Sequence, residues 1–409
     1  MTAGDVVDGA RQHSRARALL IAGLALAGLS MRTAVTSVGA VLDELQQGLH
    51  VSGTVAGLIT TLPVICFAVI GVATTRLGVA VGAHRLLVVS LAITALGLAL
   101  RPWAGGAALF VVLSVLALAG AAVSNVLLPG LVKLHFPDRL GAMTALYTTA
   151  LAIGATGGAG LTVPLDELGG GWRAGLAWWT LPALLAAAAW LPTVRRDAAP
   201  AVPAHTRPGR HLPMGALLRS RTAWAVTLFF GTQSIQAYIA FGWFSHFLID
   251  HGVTRNAAGG MVALLTALGI PVSLAAPRVR PERQRALIVA LCGCSAAAYV
   301  GLALAPVGGA WAWMALAGIG QGVFPVALVV IGLRSRTAAS AAALSAFAQG
   351  IGYSIAGLGP LLFGALFAVT GSWGPPLAVL FAALAANLLT AWPATAHRFV
   401  DDEMAASQR

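Results

Sequence analysis

The sequence predicts an all-α polytopic membrane protein, with twelve transmembrane helices arranged as two pseudo-symmetric halves of six. Three observations carry that prediction. Of 409 residues, 58% are hydrophobic and only 9% are charged, where a soluble domain carries about 25% charged residues. The apolar residues fall into twelve runs, each close to the roughly 20 residues a helix needs to cross a bilayer. The longest interruption, from Pro192 to Arg221, falls after the sixth run and divides the chain near its middle.

The elements follow in order. Residues 1–17 are polar and mixed in charge, with no small-residue cleavage site behind a short apolar core, and read as a cytoplasmic tail before a retained first span. The N-terminal bundle, 18–192, holds spans at 18–42, 54–75, 84–101, 106–132, 139–164 and 172–192. Residues 193–221 set Pro200, Pro203, Pro208 and Pro213 among six arginines. Such a segment cannot bury a core and reads as a linker. The C-terminal bundle, 222–394, holds spans at 222–249, 257–276, 285–305, 310–332, 338–369 and 374–394, and 395–409 form a second cytoplasmic tail.

Charge sets the orientation. With the N-terminus inside, the inward segments hold 21 of the 25 basic residues and the outward loops only Arg101, Arg173 and Arg255. This is a strong positive-inside bias. The net charge of +12 therefore belongs to membrane topology, and nucleic acid is excluded as a partner. Cys66, Cys292 and Cys294 lie within apolar runs as free thiols; Cys292-Gly-Cys294 is too tight for the usual zinc pair. No metal, cofactor or catalytic set emerges, so an enzyme is not expected. Gly318-Ile319-Gly320-Gln321-Gly322 lies inside an apolar span, and no phosphate-binding loop appears.

The halves echo one another. Leu118-Ala119-Gly120 recurs as Leu316-Ala317-Gly318, an offset of 198, and the same offset carries Gly154 in the fifth span onto Gly352 in the eleventh. Glycines spaced along membrane helices permit close packing, which is what two halves need where they rock.

The one basic residue left over is Arg32, near the middle of the first span. An arginine there costs at least ~2.5–3.5 kcal/mol and marks a functional site by default. None of the 13 acidic residues lies in mid-span: Asp43, Glu44, Asp166, Glu167 and Asp250 sit at the outer ends. The interior is thus net positive, and a guanidinium fork suits a carboxylate or another small planar anion. Asn125, Tyr147, Gln233, Gln236, Tyr238 and Gln349 are further polar candidates for lining a substrate cavity, and Trp243 could cap it. His246, late in the seventh span, and Tyr353, in the eleventh, are the candidates for gating or coupling.

These residues carry a resemblance. Arg32-Thr33-Ala34-Val35-Thr36-Ser37-Val38-Gly39 resembles the first-span signature of the cyanate/nitroimidazole permease family of the major facilitator superfamily. So do Gly120 through Asn125-Val126-Leu127-Leu128-Pro129, Lys133, Phe136-Pro137 and Met143-Thr144-Ala145-Leu146-Tyr147. Gln233-Ser234, Tyr238, Trp243, Gln349-Gly350-Ile351-Gly352-Tyr353 and Gly359-Pro360 continue it. Two positions depart: the loop from Arg76 to Arg85 lacks the superfamily's acidic gating residue, and Ala40 stands where the family commonly has proline.

The resemblance implies the major facilitator fold, with a midplane site between halves. It also implies an alternating-access secondary transporter in a bacterial inner membrane, both termini cytoplasmic, needing no cofactor and working as a monomer within the lipid bilayer. Residue chemistry adds a small anionic or polar organic solute anchored by Arg32. The competing reading is a multidrug-type exporter of neutral or aromatic compounds such as nitroimidazoles, in which apolar cavity residues outweigh Arg32.

Overall fold

A computed structural model describes residues 3–198, 217–275 and 279–406. The linker expected at 193–221 falls largely outside them. Among the described residues every regular element is a helix. Ten segments are long and apolar enough to cross a membrane: Arg17–Ala40, Gly53–Ile70, Ala83–Trp103, Ala107–Val132, Trp172–Val194, Arg255–Val272, Gln284–Leu304, Ala310–Leu333, Ala343–Thr370 and Gly374–Ala394. Leu146–Gly160 and Thr162–Gly169, bent by 50°, make one broken span. The 30-residue helix Arg221–Asp250 completes twelve; it is less apolar because Thr232, Gln233, Ser234 and Gln236 interrupt it. We number these segments as spans one to twelve in chain order, and call the end of the bundle away from the chain termini the distal end.

Three spans are broken, and each break is placed by a proline. A proline lacks the N–H that would bond the carbonyl four residues earlier. Pro164 leaves Gly160 as the last residue of its helix, and the chain bends at Leu161. In the sixth span Pro182 leaves the Trp178 carbonyl to a tighter bond from Leu181 N at 3.2 Å. In the tenth, Pro325 leaves the Gln321 carbonyl to Phe324 N at 3.0 Å, between helices Ala310–Gly320 and Val323–Leu333. Pro63, Pro271 and Pro360 sit inside continuous helices. Proline therefore accounts for where each break falls, but a proline alone does not produce one.

The repeat seen in the sequence is a packing relation. A Cβ on Gly154 would lie 2.2 Å from the Leu29 carbonyl oxygen, which seats span five on span one. A Cβ on Gly352 would lie 3.4 Å from the Thr227 carbonyl oxygen, which seats span eleven on span seven. Thr227 is Leu29 displaced by the same 198 positions. Glycine in both halves thus performs one task, close approach of backbones.

Between the halves the approach is again through small residues. Spans two and eleven meet where Cβ atoms on Gly53 and Gly57 would fall 3.1 Å from Gly364 O and 3.0 Å from Pro360 O. Spans five and eight meet at Gly259, 2.8 Å by the same measure from Ala159 O. Spans one and seven meet at Gly39, 2.0 Å from Phe241 O.

Candidate functional site

Arg32 lies eight residues before the end of the first span, about 12 Å along the helix, and is half-buried. It falls on the face that Gly28 and Gly154 bring against span five. Among the described residues the ion pairs are His246–Asp43, Arg255–Glu44, Arg255–Asp166 and Arg336–Asp402, and none involves Arg32. Its neighbour across the interface is Tyr238 of span seven, whose side chain lies close enough to feel the guanidinium charge. Tyr353 of span eleven also faces this charge.

Aromatic rings surround the pair. Tyr353 lies edge-on to Tyr238 at 6.2 Å and to Phe230 at 5.1 Å, with Phe67 of span two at 6.4 Å. The edges of aromatic rings are their positive rim.

Other sequence candidates are placed as follows. Tyr147 is half-buried beside Gly28, its backbone carbonyl 2.7 Å from where a Cβ on Gly28 would stand. Asn125 is half-buried on span four. Gln349 donates to Ser345 Oγ at 2.7 Å, one turn from Tyr353. Gln233 and Gln236 are not brought to Arg32. At 100° per residue they stand about 140° and 200° around the helix from Tyr238. There they line a small polar cavity with Cys292, Ser295, Tyr299, Gln321 and Asn387. Gln236 Oε1 accepts from the Tyr299 hydroxyl at 3.0 Å, and Gln233 Nε2 donates to Ser234 Oγ at 2.8 Å. Cys66 and Cys292 are buried and free, and Cys294 is free and half-buried.

Distal to Arg32 the bundle is shut. Trp243 is fully buried, donates to Thr60 Oγ1 at 3.2 Å, and lies against Phe363 at 5.7 Å. His246 Nδ1 bonds the Asp43 carboxylate across the halves. Arg255 pairs with both Glu44 and Asp166. Asn256 Nδ2 donates to Glu167 at 2.7 Å, and Trp373 Nε1 to Asp250 at 2.6 Å. All five carboxylates of the distal end are therefore engaged, four of them across the halves. Burial raises the Glu44 carboxyl above its ordinary pKa; its own backbone and Arg255 oppose that shift.

The hydrogen bonds joining the halves among the described residues run from the distal end, as at His246 and Asp43, inward to mid-span, as from Thr61 to Gly357 O at 3.2 Å and between Thr156 and Thr266 at 3.0 Å. The conformation is closed distally, with the site of Arg32 beneath the closure.

Sequence reasoning missed Arg101. Counted there as an outward loop residue, it is fully buried, with Nη1 donating to Ala34 O at 3.0 Å and Nη2 to Ser37 Oγ at 3.1 Å. The available signal was its place among only three arginines that run against the positive-inside bias. Arg255, another of the three, also has a specific task, and Arg173 lies over the Trp172 ring at 4.5 Å.

Comparison with known proteins agrees with this architecture. A profile of the Major Facilitator Superfamily matches residues 24–360. The uncharacterized transporter YycB of Bacillus subtilis (strain 168) is 38% identical over 377 residues, 89% of this chain and 90% of that one. The 2-nitroimidazole transporter of Escherichia coli (strain K12) is 35% identical, covering 88% of this chain and 91% of its own. The cyanate transport protein CynX of the same organism is 31% identical, covering 86% and 90%. Among solved structures, a bacterial homolog of the human lysosomal transporter Spinster superposes with a TM-score of 0.72 over 96% of this chain and 97% of that one, at 15% identity.

Proposed function

This chain belongs to the major facilitator superfamily, and from that premise we propose that it carries a small anionic or strongly acceptor-bearing solute whose charged or electron-rich end is held by Arg32. The protein is a multi-pass membrane protein and a secondary transporter. The observation that carries the finer reading is the state of Arg32: half-buried in mid-span, unpaired by any carboxylate among the described residues, and facing Tyr238 and Tyr353 of the opposite half.

An anion bound there satisfies the guanidinium bidentately while the Tyr238 hydroxyl reaches it from the other half. Occupancy then links spans one, seven and eleven, the spans whose distal contacts shut the site. Asn125, Tyr147, Gln349 and the ring of Tyr353 complete the wall at the level of Arg32. Trp243 closes it above, and His246 with Asp43 latches the closure. The named relatives handle a nitro-heterocycle and cyanate. Cyanate is a small anion of the kind Arg32 would hold, whereas a nitroimidazole also fits an exporter of aromatic compounds, so the choice between the two rests on the guanidinium left without a carboxylate among the described residues. Orientation follows the arginine bias, with both termini cytoplasmic and the distal closure at the outer face of an inner membrane.

The test is thermal unfolding of the purified full-length protein with sodium cyanate, sodium nitrate, 2-nitroimidazole and the neutral analogue imidazole. A ligand at 100 times its Kd stabilises the folded state by about 2.7 kcal/mol. Stabilisation of wild type by cyanate or 2-nitroimidazole but not imidazole, lost in Arg32→Gln, is expected. Equal stabilisation of wild type and Arg32→Gln by neutral aromatics overturns the anchor and favours the exporter.

A further inference from the structure

Arg101 presents a second buried charge that the reading centred on Arg32 leaves unexplained. Its guanidinium is fully buried and held only by neutral acceptors, Ala34 O and Ser37 Oγ on span one. No carboxylate pairs with it among the described residues, and its Nε has no hydrogen-bond partner there. On span four Ser114, 2% exposed, also has a hydroxyl without a partner. Orphaned buried polar groups call for a specific explanation. A buried cation without a counter-charge is costlier still.

Both residues line one cavity, together with Val38, Thr60, Tyr238 and Gly242. Two of these neighbours fix its place. Tyr238 is the neighbour of Arg32 across the interface, and Thr60 accepts the Trp243 indole of the distal closure. The chamber therefore lies between Arg32 and the closure, and separation of spans one and seven at Gly39 and Phe241 would open it to the distal side. Its free interior in the closed form is about 10 Å³, room for a single water-sized group.

We propose that Arg101 and Ser114 form an anion subsite on the distal path, the first protein contact of a small anion moving toward Arg32 and the last of one leaving. The Arg101 Nε–H and the Ser114 hydroxyl supply two donors to one terminal oxygen or nitrogen of the anion. The guanidinium supplies the charge, while Ala34 and Ser37 keep the fork aimed. Collapse of the chamber on closing leaves room for one atom, so the body of the solute moves on toward Arg32. This inference rests on the anion reading of the Arg32 site. In the alternative, Arg101 only braces span three against span one.

The experiment uses the full chain in proteoliposomes and in detergent, with sodium cyanate as probe. Ser114→Ala removes a hydroxyl that bonds nothing among the described residues, so its melting temperature without ligand should match wild type or exceed it. Its half-protecting cyanate concentration and its half-saturating concentration for uptake from the distal side should each rise about tenfold, the scale of one lost hydrogen bond to an anion. Arg101→Lys should retain part of the affinity and Arg101→Gln none. If Ser114→Ala and a folded Arg101→Gln both keep wild-type values while Arg32→Gln loses them, Arg101 is a brace and the subsite is wrong. Should Arg101→Gln fail to fold, wild-type values in Ser114→Ala alone are sufficient to overturn it. If cyanate protects no form, including wild type, the Arg32 reading itself falls and the subsite with it.

Discussion

His246 Nδ1 is hydrogen-bonded to the Asp43 carboxylate, and these residues, 203 positions apart, tie the seventh span to the end of the first at the distal face. The other ring nitrogen, Nε2, is buried without a partner, as is Asp43 Oδ2. The pair is thus enclosed by Trp243, Phe367 and Trp373 rather than washed by water. A latch in such surroundings is sensitive to loss of either partner. Asp43→Asn should weaken the distal closure by one or two kcal/mol, shifting the closed-to-open ratio about 5- to 30-fold. Spin labels at Gln47→Cys and Thr254→Cys, both exposed positions flanking the closure, report it as growth of a longer-distance population. An unchanged distance distribution would count against the latch.

Glu44 makes the same closure sensitive to pH. Burial raises its carboxyl above the ordinary 4.5; its backbone and Arg255 pull it down, and Asp43 and Asp166 push it up. A group whose pKa is higher in the closed form binds its proton more tightly there, so closing takes up a proton and opening releases it. The window extends upward from the ordinary value. As pH falls through it, the closed population at the spin-label pair should grow. Glu44→Gln should hold the closed population high and flatten this component of the profile.

The C-terminal helix Val400–Ala406 clasps the start of the seventh span. Glu403 accepts from Ser220 Oγ at 2.6 Å, Thr222 Oγ1 at 2.6 Å and Thr222 N at 3.1 Å. Asp402 pairs with Arg336, ahead of span eleven, at 2.8 Å. Burial opposes ionisation of Glu403, but those donors and Arg398 outweigh it and hold its carboxyl below the usual range. The Arg336 hydrogen bond does the same for Asp402. For a depressed carboxylate the stabilisation is present above the unfolded pKa and lost as pH falls through the folded one. Acidification below about pH 4 should therefore loosen the helix, read as faster amide exchange over 400–406, and Glu403→Gln should show that exchange at neutral pH.

Much of this was legible in the sequence because membrane constraints act on contiguous residues. Run length gave the spans, and the 198-residue offset of Gly154 and Gly352 anticipated one packing relation made twice. Arg32 stood out because a charge inside an apolar run has no local excuse. Arg101 did not, since counting apolar residues ends the third span at that arginine, and its acceptors lie 64 and 67 positions away. His246 was visible but its partner was not, for the same reason of chain distance. Gln233 and Gln236 were grouped with Tyr238 for their mid-span polarity, whereas helical angle separates them from it. Polarity says that a side chain needs a partner; only the angle says which one.

Two of the closest glycine contacts should respond in opposite ways to the same small change. At Gly39 an added methyl meets the Phe241 carbonyl of the other half at 2.0 Å, and at Gly154 it meets the Leu29 carbonyl of its own half at 2.2 Å. Neither obstacle can rotate aside, because both are helix backbone. Overpacking of this kind costs about 1–3 kcal/mol. Within one half there is no conformation that avoids it, so Gly154→Ala should lower the melting temperature whatever the state of the closure. Between halves, parting the distal ends avoids it, so Gly39→Ala should melt near wild type and populate the distally open form. Its spin-label distances should lengthen, and transport, which requires the distal end to shut, should fall steeply. A Gly39→Ala protein with wild-type distances and transport would show that spans one and seven have slack that the 2.0 Å approach denies.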